Sequence, residues 1–188
     1  MKAWHFVGKT LRDGSSIPVD GVPLVYHGEL KLCHSGLHAS IDPFDALQYA
    51  PGNTLCLVDC TGNILHGGDK FVCSERTIIA RMEATELLYY FARMQALSII
   101  HLYPMRKTGE DDVILDYLMT GDETQQTAAE NAAWTAAEAT RDADWNVAIR
   151  AATWTTAFYA ARAAARAATW TAGDDFNNLV RECFKDYL

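Results

Sequence analysis

The sequence predicts an α+β protein, with a β-rich domain over residues 1–82 and a helical part over 83–188. Three observations carry this expectation. Short apolar stretches broken by Gly, Pro and Asn fill the first 82 residues, the signature of strands joined by turns. From Thr85 onward the apolar residues Leu87, Leu88, Phe91, Met94, Leu97 and Ile100 recur near helical spacing. Between Thr127 and Ala172 nearly half the residues are alanine, the best helix former.

The N-terminal elements follow in order. Lys2 to Val7 reads as a strand, with Trp4 and Phe6 on one face and Ala3, His5 and Val7 on the other. Leu11-Arg12-Asp13-Gly14 is a turn. Ile17-Pro18 and Val22-Pro23 keep the chain extended but interrupted. Leu24–Tyr26 and Glu29–Leu32 read as short strands. Residues 33–60 form a central unit in three pieces: a polar turn carrying His34 and His38, a short helix, and a strand from Thr54 to about Asp59. Asp42 can cap that helix, Pro43 suits its first position, and Pro51-Gly52-Asn53 ends it. Ile64-Leu65 and Lys70–Cys73 suggest a hairpin around Gly67-Gly68, and Arg76–Arg81 a further strand.

In the helical part, Thr85 to about Leu102 reads as a helix ended by Tyr103-Pro104, and Asp112–Met119 as a shorter one stopped by Gly121. Alanine-rich helices should cover about 124–172, with a break near Thr140-Arg141-Asp142, because one helix over 127–172 would run roughly 65–70 Å. Gly173-Asp174 should close that segment before a last amphipathic helix over Asp175–Leu188. Small residues between Trp134, Trp145, Trp154 and Trp170 suit close helix packing, with each indole covered, and point to a packing or homo-oligomerisation module. Truncation near residue 125 should therefore expose apolar surface.

Composition excludes several classes. The net charge of −8 argues against binding nucleic acid through its phosphates. No apolar run reaches the roughly 20 residues of a membrane span, and Met-Lys-Ala-Trp-His shows no signal-peptide core. Five cysteines without framework spacing fit a reducing cytoplasm. Cys33, His34, His38, Cys56, Cys60 and Cys73 are zinc-ligand types, but paired Cys-x-x-Cys knuckles are absent and no metal is expected. Cys33 with His34 or His38 has the residue types of a thiol nucleophile and base, without a flanking motif. Residues 110–144 carry ten acidic side chains against Arg141 alone. Such a run is usually a solvated face, and it also has the charge to imitate a phosphate backbone.

One pattern stands above these. A strand bearing His5 is followed by Gly36-Leu-His38-Ala-Ser40, then a helix with Ala46 and Tyr49, then Leu55-Cys56-Leu57-Val58. This arrangement resembles ADP-ribosyltransferase-like folds over about residues 1–80. The resemblance implies NAD as cofactor, with His5 matching the histidine that holds a ribose hydroxyl and Tyr49 the tyrosine of the nicotinamide pocket. Ser40 matches the motif serine, and His38 stands where many members have a first tyrosine. It also requires a catalytic glutamate to stabilise the ribose cation; Glu75 is the first choice and Glu83 the second. Over nearly the whole chain, Lys-Ala-Trp-His-Phe, Leu-Cys-x-Ser-Gly-Leu-His-Ala-Ser, Pro-Phe-Asp-Ala-Leu-Gln-Tyr-Ala and an Ala/Trp/Arg-rich tail resemble an uncharacterised domain of phage and prophage proteins. That implies a protein acting in the host cytoplasm and supplies no reaction.

Three functions follow: an NAD-binding protein on such a scaffold, catalytic or an inactive relative; a non-catalytic phage accessory protein that binds and inhibits a host defence factor through its acidic or alanine-rich helices; and a structural helical module. The first requires the strand 2–7 to pair close to the strand 54–59, with His5 near residues 36–40.

Overall fold

The structure, a computed structural model, describes residues 1–98, 100, 109–139, 150, 152–153, 161, 163 and 171–188. It is α+β, with an antiparallel sheet in the N-terminal part and helices after it. The chain forms two compact units: Met1–Ala84 together with Asp174–Leu188, and Thr85–Gly173.

The first unit holds strands β1 (Lys2–Val7), β2 (Pro23–Val25), β3 (Leu37–Ala39), β4 (Thr54–His66) and β5 (Phe71–Glu83), with helix α1 (Pro43–Leu47) between β3 and β4. All pairings are antiparallel. β1 lies directly on β4, with Trp4 opposite Leu57 and His5 opposite Cys56. β4 and β5 form one long hairpin, and the other edge of β5 takes β3 at residues 71–73 and β2 at residues 75–77. Just past β3, Ser40 exchanges two backbone hydrogen bonds with Trp4, of 2.8 and 3.0 Å. The path β1–β4–β5–β3 therefore returns to β1, and the sheet closes into a ring through a single residue pair. Closure removes the open edges that both β1 and β3 would otherwise present to solvent.

Alternation then gives the ring two faces. Ala3, Val7, Ala39, Cys56, Val58, Cys60, Phe71, Cys73 and Ile78 pack together as one core. The other face carries buried Trp4 and Phe6. Helix α5 (Ala172–Cys183) and the 3₁₀ turn Lys185–Tyr187 belong to this unit from Asp174 onward. Phe184 stands edge-on to Trp4 with ring centroids 5.1 Å apart, and Phe176 meets Phe44 at 6.2 Å. Asn177 Oδ1 accepts the Phe44 N–H at 2.8 Å, and Lys2 Nζ donates to the carbonyl oxygens of Tyr187 and Leu188. Asp42 occupies the N-cap position of α1 but makes no side-chain cap; its carboxylate pairs with Arg181 at 2.5 Å instead.

Several expectations are corrected by these pairings. The strand expected from Thr54 to about Asp59 does not end there: Thr61-Gly62-Asn63 is absorbed as a bulge, where Asn63 N–H donates to Ser74 Oγ at 2.8 Å, and β4 runs on to His66. The expected strand Arg76–Arg81 is the middle of β5. Gly36–Ser40 is largely strand rather than turn, whereas Glu29–Leu32 contributes only the pairing of Lys31 with Ser35. Gly173 does not close a segment but lies in the first turn of α5, where Asp174 and Asp175 complement the positive helix end.

In the second unit, α2 (Thr85–Ser98), α3 (Gly109–Thr120) and α4 (Glu123–Ala139) supply Ala92, Ala96, Ile114, Tyr117, Leu118, Ala129, Ala132 and Ala133 to a core that also takes Ala152. The alanines let backbones approach closely. The buried face of α2 is Leu88, Phe91, Ala92, Gln95 and Ala96, while Met94 is exposed, so the stripe lies one position over from the one expected. Gly121 ends α3 with φ +70°, its N–H returning to Tyr117 O at 2.8 Å, a left-handed cap that a side chain would strain. Trp134 is half-exposed, with the Arg150 guanidinium 3.5 Å over its ring. The break near Thr140–Asp142 and Trp145, Trp154 and Trp170 lie outside the described residues. No helix among the described residues is long and apolar enough to cross a membrane.

Candidate functional site

The chemistry gathers where the ring closes. His5 on β1 pairs with Cys56 on β4, and two alternations along β4 lead to Cys60, whose partner on β5 is Arg76. Cross-strand partners share a face, so His5, Cys56, Cys60 and Arg76 all project from the same side of the sheet. Arg76 is 7% exposed. Arginine is seldom buried without a carboxylate, because removing a cation from water costs several kcal/mol. Among the described residues Arg76 has no acidic partner; its one hydrogen bond runs from Nη1 to the His38 carbonyl at 2.5 Å. The groups that bear on its charge are the thiols of Cys60, Cys73 and Cys56, and burial pulls its pKa down.

His5 keeps some solvent access, and its imidazole has no hydrogen-bond partner among the described residues. Desolvation lowers its pKa well below the ordinary value, and the positive field of Arg76, with His38 behind it, adds to the drop. His5 is therefore a neutral imidazole at physiological pH, with one N–H donor and one acceptor nitrogen to offer.

His38 is differently placed. Its Nε2 accepts the backbone N–H of Cys33 at 3.0 Å, and a hydrogen bond to the Gly36 backbone engages the ring as well. Desolvation lowers its pKa, the Gly36 bond opposes this, and the charges of Lys70, Arg76 and Arg12 lower it further. Its ring thus pins the 31–36 loop rather than facing a ligand. Cys33, at the tip of that loop, is exposed and left-handed at φ +63°. Gly36 has φ +98°, and an added Cβ there would run into Val72 and come within 2.7 Å of Leu30. Gly36→Ala is expected to destabilise the first unit by about 1–3 kcal/mol, read as a lower urea midpoint at unchanged slope; an unchanged midpoint would show that the loop relaxes freely.

The remaining sequence-predicted residues divide. Ser40 is the buried seam residue bonded to Trp4. Tyr49 is about half-exposed beyond the end of α1; its hydroxyl donates to Asp69, a bond that raises its pKa, and Lys70 Nζ lies 3.6 Å over its ring. The charge of Lys70 also reaches His38, while Asp69 stands against it at the Tyr49 hydroxyl. Glu75 does not join it. It neighbours Arg76 in β5 and so points from the opposite face, where Thr61 Oγ1 donates to it at 3.0 Å. Glu83, the second choice, lies at the far end of β5, exposed and opposite Thr54. The structure thus brings His5, His38 and Ser40 together and leaves the two glutamates apart.

Arg76 escaped the sequence reading because one arginine in a β-run looks like a solvent-facing residue. The signal that would have found it is the alternation itself, which puts Arg76 in phase with Ile78, a buried residue. The three thiols around it are buried and free. Burial pushes Cys56 up to about 11. Of the close pair Cys60 and Cys73, Cys73 loses its proton first, because Cys60 hydrogen-bonds to it and Arg76 adds its positive field. No group of three or more His, Cys, Asp or Glu among the described residues is arranged to hold a metal ion.

Residues 1–90 match a domain of unknown function, DUF7666, which covers the whole sheet and the first turns of α2. No match was found among the curated proteins or among the solved structures.

Proposed function

We propose that the first unit is a small-molecule binding domain for a nucleotide of the NAD type, working as a binder rather than a transferase. The observation that carries this reading is His5: a neutral, partly accessible imidazole without a protein partner, held beside a buried arginine. A neutral imidazole pairs well with a ribose hydroxyl, which both donates and accepts. Tyr49 offers a half-exposed ring beneath Lys70, whose charge reaches His38. Glycosyl transfer would need a carboxylate at the anomeric carbon, and both Glu75 and Glu83 are directed or located elsewhere. Binding without transfer is therefore the reading the geometry favours.

Calorimetry with NAD, ADP-ribose and nicotinamide tests it. NAD or ADP-ribose is expected to bind the wild-type chain below millimolar Kd. His5→Ala should weaken that binding by about tenfold, the value of one well-made hydrogen bond, while Glu75→Gln leaves it unchanged. Absence of heat from all three ligands at millimolar concentration removes the reading.

A second reading has support in the second unit. Asp112 and Asp116 along α3, and Asp122 and Glu123 at the α3–α4 turn, are exposed and form no ion pair among the described residues. That surface suits the basic face of a host protein. Asp111 is not part of it, being 4% exposed.

A further inference from the structure

The uncompensated charge of Arg76 has a chemical consequence. A guanidinium carries five N–H donors in a planar fork, and here one of them meets a backbone carbonyl. The side chains that flank it are thiols, which are weak acceptors. The chain has 24 acidic residues against 16 Lys and Arg, yet among the described residues no carboxylate bears on Arg76, His5 or His38. What does surround them is positive: Arg76 acts on His5, and Arg12, Lys70 and Arg76 act on His38. A buried arginine with one carbonyl partner and no carboxylate among the described residues, with further cations bearing on the histidine whose carbonyl it meets, is a place prepared for an anion from outside. Burial strengthens that preference, because a charge-assisted hydrogen bond gains strength as water is excluded.

We infer that Arg76 anchors a site for a phosphoryl oxyanion, with the pyrophosphate of a small-molecule ligand as the group it fits and His5 as the neighbouring donor. The planar fork matches two phosphate oxygens at once. The choice of pyrophosphate over a single carboxylate follows from the number of cations: Arg76 alone would satisfy one negative charge, and Arg12, whose charge reaches His38, adds a second, Lys70 being engaged at Tyr49 beside Asp69. His5 bridges the buried arginine and the solvent, since it alone of the pair remains partly accessible. The inference deepens the nucleotide reading and rests on it for the side of the sheet the ligand occupies, but the two fail separately.

The competing arrangement is internal: a Cys73 thiolate as the counter-ion of Arg76. It is distinguishable, because thiolates absorb near 240 nm and thiols do not.

The experiment titrates the full chain with inorganic pyrophosphate, and with inorganic phosphate at matched ionic strength, by calorimetry and thermal unfolding. Pyrophosphate is expected to raise the wild-type Tm and to bind at millimolar Kd or tighter, with phosphate weaker. Arg76→Met should lose at least tenfold in pyrophosphate affinity. Its own Tm without ligand should be no lower than that of wild type, since an apolar side chain of similar length replaces a buried charge without a partner. Arg76→Lys keeps the charge but not the fork and should fall between; it decides the matter together with wild type if the Met variant does not fold. Wild type indifferent to pyrophosphate overturns the inference, as does an Arg76→Met chain that binds it equally well. A 240 nm absorbance at neutral pH that Cys73→Ser abolishes, unchanged by pyrophosphate, also overturns it. Pyrophosphate binding without NAD binding ends the nucleotide reading alone. NAD binding indifferent to Arg76 ends this inference alone.

Discussion

Removing residues 174–188 is expected to abolish cooperative folding of the sheet unit, and Phe176→Ala alone to cost it about 3–5 kcal/mol. Phe176 and Val180 are fully buried and Phe184 nearly so. Phe184 packs on Trp4 of β1 and Phe176 on Phe44 of α1, with ring centroids 5.1 and 6.2 Å apart. The deletion strips all three at once and also removes the partners of Asp42 and of the Phe44 N–H. Domains of this size carry roughly 5–15 kcal/mol of total stability, so losing three buried apolar anchors consumes most or all of it. Near-ultraviolet circular dichroism and urea unfolding of the 1–173 chain report the result. A truncated chain with the wild-type urea midpoint would show that these residues ride on the sheet without supporting it. Cutting after residue 125 removes the same stretch, so a stability loss from that cut would not isolate the alanine-rich segment.

Stability should also fall on mild acidification, and His5 is the main cause. Its folded-state pKa is depressed below the unfolded value of about 6.5. The unfolded chain therefore binds a proton that the folded one refuses, so stability is full above pH 6.5 and is lost as pH drops toward the folded pKa. The slope approaches about 1.4 kcal/mol per pH unit while the unfolded form is protonated and the folded form is not. His38 shifts in the same direction and contributes less, because solvent screens its partly exposed ring. His5→Gln should flatten the dependence of the urea midpoint on pH between 6.5 and 5. A variant with the full wild-type slope would mean that His5 titrates normally and that the positive field around it is weaker than the geometry indicates. Carboxylates with depressed pKa values, Asp13 and Asp122, act at lower pH and do not confuse that window.

The parts of the fold that were legible in the sequence are those whose burial pattern is local. Trp4 and Phe6 against Ala3, His5 and Val7 gave β1 and its two faces, Asp42-Pro43 gave the start of α1, and Gly67-Gly68 gave the hairpin turn. The pairing of β1 with the first half of β4 followed from two apolar faces seeking each other. What was not legible depended on partners distant in sequence. Thr61-Gly62-Asn63 has the composition of a strand end, and only the facing Ser74 hydroxyl turns it into a bulge. Leu37–Ala39 is too short and too polar to read as a strand until Trp4 and Phe71 flank it. The site shows the same division. His5, His38 and Ser40 announced themselves by motif, whereas Arg76 is placed only by its register with Cys60. Glu75 was chosen by type and order along the chain, and alternation in β5 aims it away.

The division of the chain bears on how it is made. The first unit is discontinuous: its sheet is complete by Ala84, while the residues that cover Trp4 and Phe44 come after Gly173. A ribosome working at about 5–20 residues per second must add the whole of residues 85–173 before those last residues can emerge. For several seconds the nascent sheet therefore stands without the residues that cover Trp4 and Phe44. Vectorial synthesis thus sets an order in which the inserted unit is made before the unit that surrounds it in sequence can finish. A holding chaperone in that interval would meet its target at Trp4 and Phe44.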